Sequence, residues 1–233
     1  MLSFFEKTRG GLIVSSQAGG TEPLNTPEIL SALAESALHG GACGIRMAQV
    51  ENLRFFREAH PLTPLIGLTK PEPIPADAIN LVYITPTYET AASIAPFCDV
   101  VAMDATSRHR PYDEQLSDIV QKMKTQFPNT LLMADIATLA DALTAEKLGF
   151  DMIGTTLSGY TAETKATSPS GPDFELLSAL IKQVRIPVIL EGRVWTPGEV
   201  AQAMQLGAHA VVVGSAVTRP HEITKRFVGA LKA

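Results

Sequence analysis

The sequence predicts an α/β protein of the (β/α)8 barrel class, a TIM barrel, with residues 1–233 forming a single domain. Three observations predict it. Short β-branched, apolar runs recur along the chain, each followed by a segment of helical period, the pattern of parallel strands joined by crossover helices. Eight such runs are spaced roughly 25 to 30 residues apart, the length of one strand–helix unit. Nearly every run ends in a polar side chain, and in a closed barrel those ends converge on one pocket.

The first run, Gly11–Ser16, ends before Gln17 and is followed by Thr26–Pro27–Glu28, a capping hydroxyl ahead of a first-turn proline. The second, Gly44–Met47, carries Arg46. The Gly40–Gly41 pair before it lacks the rest of a dinucleotide fingerprint, and Phe55–Phe56 in the next helix reads as core or interface. The third, Leu65–Thr69, delivers Lys70. A proline-rich stretch from Pro71 to Pro75 comes next, so the strand-like Leu81–Thr85 is expected to be an excursion of that loop rather than a ninth strand. The fourth and fifth, Val100–Ala105 and Leu131–Ile136, close on the matching phrases Met103–Asp104–Ala105 and Ala134–Asp135–Ile136, and the helix after the fifth stops at Leu148–Gly149. The sixth, Met152–Leu157, contains Thr155–Thr156. The seventh, Pro187–Glu191, ends on a carboxylate; its helix starts at Thr196–Pro197 and stops at Leu206–Gly207. The eighth is Ala210–Gly214. An open doubly wound sheet is the rival, because periodicity does not say whether the last strand closes on the first.

Composition narrows the function classes. A hydrophobic content of 45% with 18% charged residues is ordinary for a globular chain able to bury its own core. The net charge of −5, with no long basic run, lacks the footprint of a nucleic-acid or anionic-membrane binder and points to a small-molecule partner. Glu6, Lys7 and Arg9 interrupt the first apolar stretch, so no signal peptide is expected and no run reaches transmembrane length. The two cysteines, Cys43 and Cys98, have neither disulfide-framework nor zinc spacing, which fits a reducing cytoplasm. No nucleophile elbow, Walker motif or metal spacing occurs, and no cofactor is indicated.

Chemistry is sought at the strand ends. Lys70 reaches into a barrel mouth, where burial or a neighbouring cation lowers the pKa of an amine enough for it to act as a base; the alternative is a solvated loop lysine. Glu191 faces either the pocket or a compensating cation such as Arg46 or Lys70. Asp104 and Asp135 either bind hydroxyls and orient a lysine, or cap the turns that follow them. Arg46 either binds substrate oxygens or pairs with one of these acids. The clearest ligand signal is Val213–Gly214–Ser215–Ala216 running to Thr218–Arg219–Pro220, where a glycine turn and a helix start suit a phosphate, with Glu191–Gly192–Arg193 as its companion half. His209 opens the eighth strand at the far end and reads as structural, and Trp195 as packing near a helix start.

These phrases resemble the N-acetylmannosamine-6-phosphate 2-epimerases of bacterial sialic-acid and amino-sugar catabolism. The resemblance runs through Ser16–Gln17–Ala18, Gly44–Ile45–Arg46, Ile66–Gly67 with Lys70, Met103–Asp104–Ala105–Thr106 and Leu132–Met133–Ala134–Asp135–Ile136. It continues through Gly154–Thr155–Thr156–Leu157–Ser158–Gly159–Tyr160, Glu191–Gly192–Arg193 and Val213 to Pro220. It implies a cofactor-independent isomerase that inverts C2 of a phosphorylated N-acetylhexosamine, and a homodimer. By the same resemblance Lys70 is the proton-transfer residue and Glu191 its catalytic companion. Gln17, Arg46 and Asp135 are implied as sugar contacts, and Gly192, Gly214, Ser215 and Arg219 as phosphate contacts. Two other functions fit the residues alone: a lyase or synthase using Lys70 for a Schiff base, and a non-catalytic phosphosugar-binding barrel.

Overall fold

In a computed structural model, which describes residues 2–231, eight parallel strands close into a barrel in sequence order. The strands are β1 (Leu12–Ser16), β2 (Gly44–Ala48), β3 (Leu65–Leu68), β4 (Val100–Asp104), β5 (Leu131–Asp135), β6 (Met152–Gly154), β7 (Val188–Glu191) and β8 (Ala210–Val213). Closure is direct: Leu12, Ile13 and Val14 of β1 pair with Val211, Val212 and Val213 of β8. The open-sheet alternative is thereby excluded. The helices are α1 (Phe4–Thr8), α2 (Pro27–His39), α3 (Val50–Ala59), α4 (Tyr88–Ile94), α5 (Leu116–Gln126), α6 (Leu139–Leu148), α7 (Phe174–Gln183), α8 (Pro197–Gln205), α9 (Ser215–Thr218) and α10 (Pro220–Ala230).

The helix boundaries sit where the capping residues put them. Thr26 accepts from the Ile29 amide with Pro27 in the first turn, and Thr196 and Glu199 form a reciprocal capping box. Gly149 ends α6 at φ 95°, a left-handed conformation that costs a glycine nothing. One expected strand is too long. β6 stops at Gly154, because the chain turns there: the Ser158 amide donates to the Thr155 carbonyl, and Leu157 leaves the ladder to bond Ile136.

Alternation along each strand divides the core into two shells. Val14, Ile45, Leu65, Val101, Leu132, Ile153, Leu190 and Val211 face the helices, while Ile13, Ile66, Val100, Met133, Met152, Ile189 and Ala210 fill the barrel interior. Phe4 of α1 belongs to the interior cluster, so this short helix plugs the end where the strands begin. His209 is buried there against the Thr8 hydroxyl, 3.1 Å away, a structural contact. Two strand starts share one device. Asp99 accepts from the Leu65 amide and pairs with Arg57 of α3, and Asp151 accepts from the Leu132 amide and pairs with Lys124 of α5.

The run Leu81–Thr85 is no ninth strand. It makes one isolated bridge, Leu81 with His109, and lies against the carboxyl ends of β3 and β4 through Thr85 N–H to the Thr69 carbonyl and Asp104 N–H to the Ile84 carbonyl. β3 and β4 accordingly pair directly over only Ile66–Val100 and Gly67–Val101. Of the aromatic pair, Phe56 is core and Phe55 is exposed.

Candidate active site

The period of two that places apolar residues inside the barrel places polar ones inside at its carboxyl end. Continuing inward from Ile13, Met133 and Ile189 gives Ser15, Asp135 and Glu191, and Arg46 on β2 lies beside Ser15 in register. Arg46 and Asp135 cannot reach bulk water and must be satisfied by their neighbours. Arg46 is 1% exposed and donates to both carboxylate oxygens of Asp135, itself 0% exposed, at 3.1 and 2.6 Å. Its Nη1 also lies 2.9 Å from Glu191 Oε2. The Thr156 hydroxyl donates to Asp135 at 2.7 Å and lies 3.3 Å from the same Glu191 oxygen. One guanidinium thus spans the barrel and holds two carboxylates. Room for it comes partly from β6, where a Cβ on Gly154 would sit 2.3 Å from Met133 Cε and 3.4 Å from an Asp135 carboxylate oxygen.

Above this layer opens a cavity of about 870 Å³, lined by Ser15, Gln17, Lys70, Glu191, Gly192, Gly214, Ser215 and Arg219 among others. Lys70 follows β3 by two residues, and its Nζ donates to Gln17 Oε1 at 2.9 Å; the Gln17 amide in turn donates to Ser15 Oγ at 2.8 Å. Burial and then the Arg46 guanidinium push the Lys70 ammonium pKa down to about 8, against the pull of Glu191 and Asp135. Glu191 is 13% exposed and faces the cavity. Burial, reinforced by Asp135, raises its pKa above the ordinary carboxylate range, although Arg46, Lys70 and Thr156 oppose the shift. An amine driven toward neutrality and a carboxylate driven toward protonation therefore border the same space, a pairing suited to moving a proton.

The far end of the cavity is built for an anion. Gly192 turns at φ 109°, which a side chain resists, and Gly214 precedes α9, whose first amides have no intrahelical partner. A Cβ on Gly214 would approach Ser15 Cβ at 3.3 Å, and Thr218 Oγ1 ties the same turn to the Ser15 carbonyl at 2.7 Å. Arg219 reaches in with its Nε buried and unpartnered, while its Nη2 holds Glu22 Oε1 at 2.6 Å.

The structure brings Gln17, Lys70, Glu191, Gly192, Gly214, Ser215 and Arg219 to one cavity. Arg46 and Asp135 lie instead beneath its floor, bonded to each other and not among its lining residues. Asp104 has the same inward parity, after Val100 and Ala102, but does not line the cavity: it accepts from the Thr106 amide and hydroxyl at 3.0 and 2.7 Å and pairs with Arg108, which is turn capping. Trp195 does more than pack a helix start. It lines the cavity with the Arg226 guanidinium 4.1 Å above its ring. Tyr83, Tyr160, Glu22 and Glu72 also line it and carry no strand-end signal, and Gln49, directly after β2, lines it as well; Tyr83 reaches it because Leu81–Thr85 lies against the barrel mouth. Among the described residues no group of three or more His, Cys, Asp or Glu side chains is placed to hold a metal.

Known proteins resemble the chain over nearly its whole length. The NanE family model, described as "Putative N-acetylmannosamine-6-phosphate epimerase", matches residues 30–233. A relative from Pediococcus pentosaceus, named "Putative N-acetylmannosamine-6-phosphate 2-epimerase", is 46% identical over 231 residues, covering 99% of each chain. The solved N-acetylmannosamine-6-phosphate 2-epimerase of Clostridium perfringens superposes with a TM-score of 0.91 at 42% identity, covering 98% of this chain and 96% of that one. A thiamine phosphate pyrophosphorylase from Pyrococcus furiosus, at 20% identity and a TM-score of 0.62 over 94% of this chain and 93% of its own, shares the fold.

Proposed function

We propose an account of catalysis from one premise: this chain belongs to the N-acetylmannosamine-6-phosphate epimerase family. It is an isomerase that interconverts N-acetylmannosamine-6-phosphate and N-acetylglucosamine-6-phosphate, inverting C2. The C2 proton is removable in the open-chain sugar, where C2 is α to the aldehyde. A base takes it, the C–H electron pair becomes the C1–C2 double bond of an enolate, and a proton returned to the opposite face of the planar carbon gives the other epimer.

The observation that supports assigning Lys70 and Glu191 to these steps is their place in the ring. β3 and β7 stand four strands apart in a closed barrel of eight, so the two groups enter the cavity from opposite walls. The lowered pKa of Lys70 supplies a neutral amine near neutral pH, and the raised pKa of Glu191 supplies a proton. The two exchange roles in the reverse reaction. Glu191 Oε2 is fixed by Arg46 and Thr156, leaving Oε1 for the substrate. Gln17 holds the Lys70 amine, Arg46 and Asp135 act from below as the electrostatic support of both, and Gly192, Gly214, Ser215 and Arg219 take the 6-phosphate. No cofactor enters this scheme.

The test is turnover of N-acetylmannosamine-6-phosphate in D₂O, followed by NMR. Product carrying solvent deuterium at C2 from the first turnover, lost in Lys70→Ala and Glu191→Ala variants that stay folded, is the expected result. Substrate hydrogen retained at C2 of the product refutes the two-wall assignment.

The chain acts as one catalytic domain and, in this reading, as a homodimer. α10 has no buried residue and exposes Phe227, Val228 and, just beyond it, Leu231, an apolar face that a second copy would cover. Sedimentation of Phe227→Asp tests this: a shift to monomer supports it. The two free thiols accord with a cytoplasmic site, and among the described residues no helix is long and apolar enough to cross a membrane.

A further inference from the structure

Five non-glycine residues among those described have a left-handed φ: Gln49, Thr85, Tyr112, Asp113 and Arg193. Tyr112 and Asp113 share one turn, where Tyr112 stands fully out in solvent. The other three lie at the catalytic end of the barrel, and two of them, Gln49 at φ 76° and Thr85 at φ 42°, flank the strand end that carries Lys70. Glutamine pays a steric penalty there and a β-branched threonine a larger one, so each is held by what it bonds.

Between them they bond three consecutive residues, Leu68 and Lys70 from Gln49 and Thr69 from Thr85. Gln49 N–H donates to the Leu68 carbonyl at 2.9 Å, and its Nε2 donates to the Lys70 carbonyl at 2.8 Å. Although Gln49 is the N-cap residue of α3, its side chain caps nothing in that helix. From the other side Thr85 N–H donates to the Thr69 carbonyl at 2.9 Å, and Thr69 N–H donates to Thr85 Oγ1 at 3.0 Å. That hydroxyl itself donates a hydrogen bond to the Ala102 carbonyl at 2.7 Å, anchoring the contact on β4. β3 proper has ended at Leu68, so Thr69 and Lys70 lie beyond the ladder and would otherwise be free to turn.

We propose that Gln49 and Thr85 are positioning residues for the epimerisation, a strained two-sided clamp that fixes the main chain of Thr69 and Lys70 and so aims the Lys70 amine at C2. The inference rests on the reading of Lys70 as the proton-transfer base. An active Lys70→Ala enzyme would sink that reading, whereas the variants below test the clamp in an enzyme whose lysine is intact. Gln49 also lines the cavity and its Nε2 lies 3.4 Å from Glu72 Oε1, so a direct part in substrate binding would show in KM, whereas the bonds that make the clamp run to main-chain atoms of Leu68, Thr69 and Lys70.

The test separates positioning from structure, because glycine relieves the strain while removing the bond. Gln49→Gly and the similar-sized non-donor Gln49→Met are compared with Thr85→Ser, which keeps the hydroxyl, and Thr85→Val, which does not. The readouts are kcat, KM, thermal midpoint and the pH midpoint of kcat/KM. Gln49→Gly is expected to hold or raise the thermal midpoint while kcat falls about 10- to 100-fold, the scale of a displacement of about 1 Å at a reacting group. KM is expected to change little, and the pH midpoint to rise as the amine escapes its buried setting. Thr85→Ser should work and Thr85→Val should not. Wild-type kcat in Gln49→Gly and Gln49→Met would overturn the clamp, as would losses that follow the thermal midpoint with the pH midpoint unmoved. Should Gln49→Gly fail to fold, Gln49→Met and the Thr85 pair decide by the same criteria.

Discussion

Replacing Arg46 by methionine removes the one cation that the buried layer is arranged around. In the protein that guanidinium makes two contacts to Asp135, at 3.1 and 2.6 Å, and one to Glu191 at 2.9 Å. Methionine fills much of the space but leaves Asp135, which is wholly buried, with the Thr156 hydroxyl as its remaining side-chain partner. Breaking a buried pair by removing one member costs about 3–5 kcal/mol, mostly as the penalty of the stranded charge. At about 2–4 °C per kcal/mol for a chain of this length, the thermal midpoint should fall by about 6–20 °C. The catalytic effect has a definite sign. After burial, Arg46 is the strongest influence holding the Lys70 pKa down to about 8. Without it the repulsion between the guanidinium and the ammonium is gone, the Lys70 pKa rises, and the neutral base becomes scarce at neutral pH. Thermal unfolding followed by circular dichroism and kcat/KM measured across pH together test this. A companion variant, Arg46→Met with Asp135→Asn, should regain part of the stability and none of the activity, because it removes the stranded charge without restoring the field on Lys70. Loss of less than about 1 kcal/mol with an unmoved pH midpoint would refute the reasoning.

Wild-type kcat/KM should climb with rising pH through a midpoint near 8, because Lys70 is a base only after its ammonium loses a proton; a flat acid limb between pH 6 and about 8 would remove Lys70 from that role. Arg219→Ala should raise KM about 10- to 100-fold through the loss of a charge-assisted contact to phosphate, with kcat altered less in initial-rate assays. Glu22→Gln should lower KM, since Glu22 Oε1 occupies Arg219 at 2.6 Å and competes with the substrate phosphate; an unchanged KM would mean that the pair survives substrate binding. Gly154→Ala should cost about 1–3 kcal/mol by overpacking, toward the lower end because the nearest atom, Met133 Cε at 2.3 Å, ends a flexible side chain.

The barrel was legible in the sequence because its causes are local. A β-branched run, a threonine or glycine at a helix end and the return of the pattern every strand–helix unit are properties of neighbouring residues, and the observed strands differ from the expected ones mainly at their ends. Lys70 and Glu191 were legible for the same reason, as polar residues closing apolar runs, as were Gly192 and Gly214 at the turns after the last two strands.

What the sequence left open was every choice between two partners. Asp104 and Asp135 occupy matching phrases and sit opposite each other in register, yet one caps a turn and pairs with Arg108 while the other holds Arg46. Local sequence does not distinguish them, since the difference is set by which cation crosses the barrel interior. The same holds for Trp195, Tyr83 and Glu22, which reach the cavity only because their loops fold over the barrel mouth. The strain at Gln49 and Thr85 belongs wholly to the tertiary structure. The chain alone determined the strands, their order of residue types and hence the pole where chemistry gathers, because alternation and capping act over a few residues. Ring closure decided the rest: it set β3 across from β7, made Arg46 neutralise two buried acids at once, and depressed the basicity of Lys70 through charges that are distant in sequence and close in space.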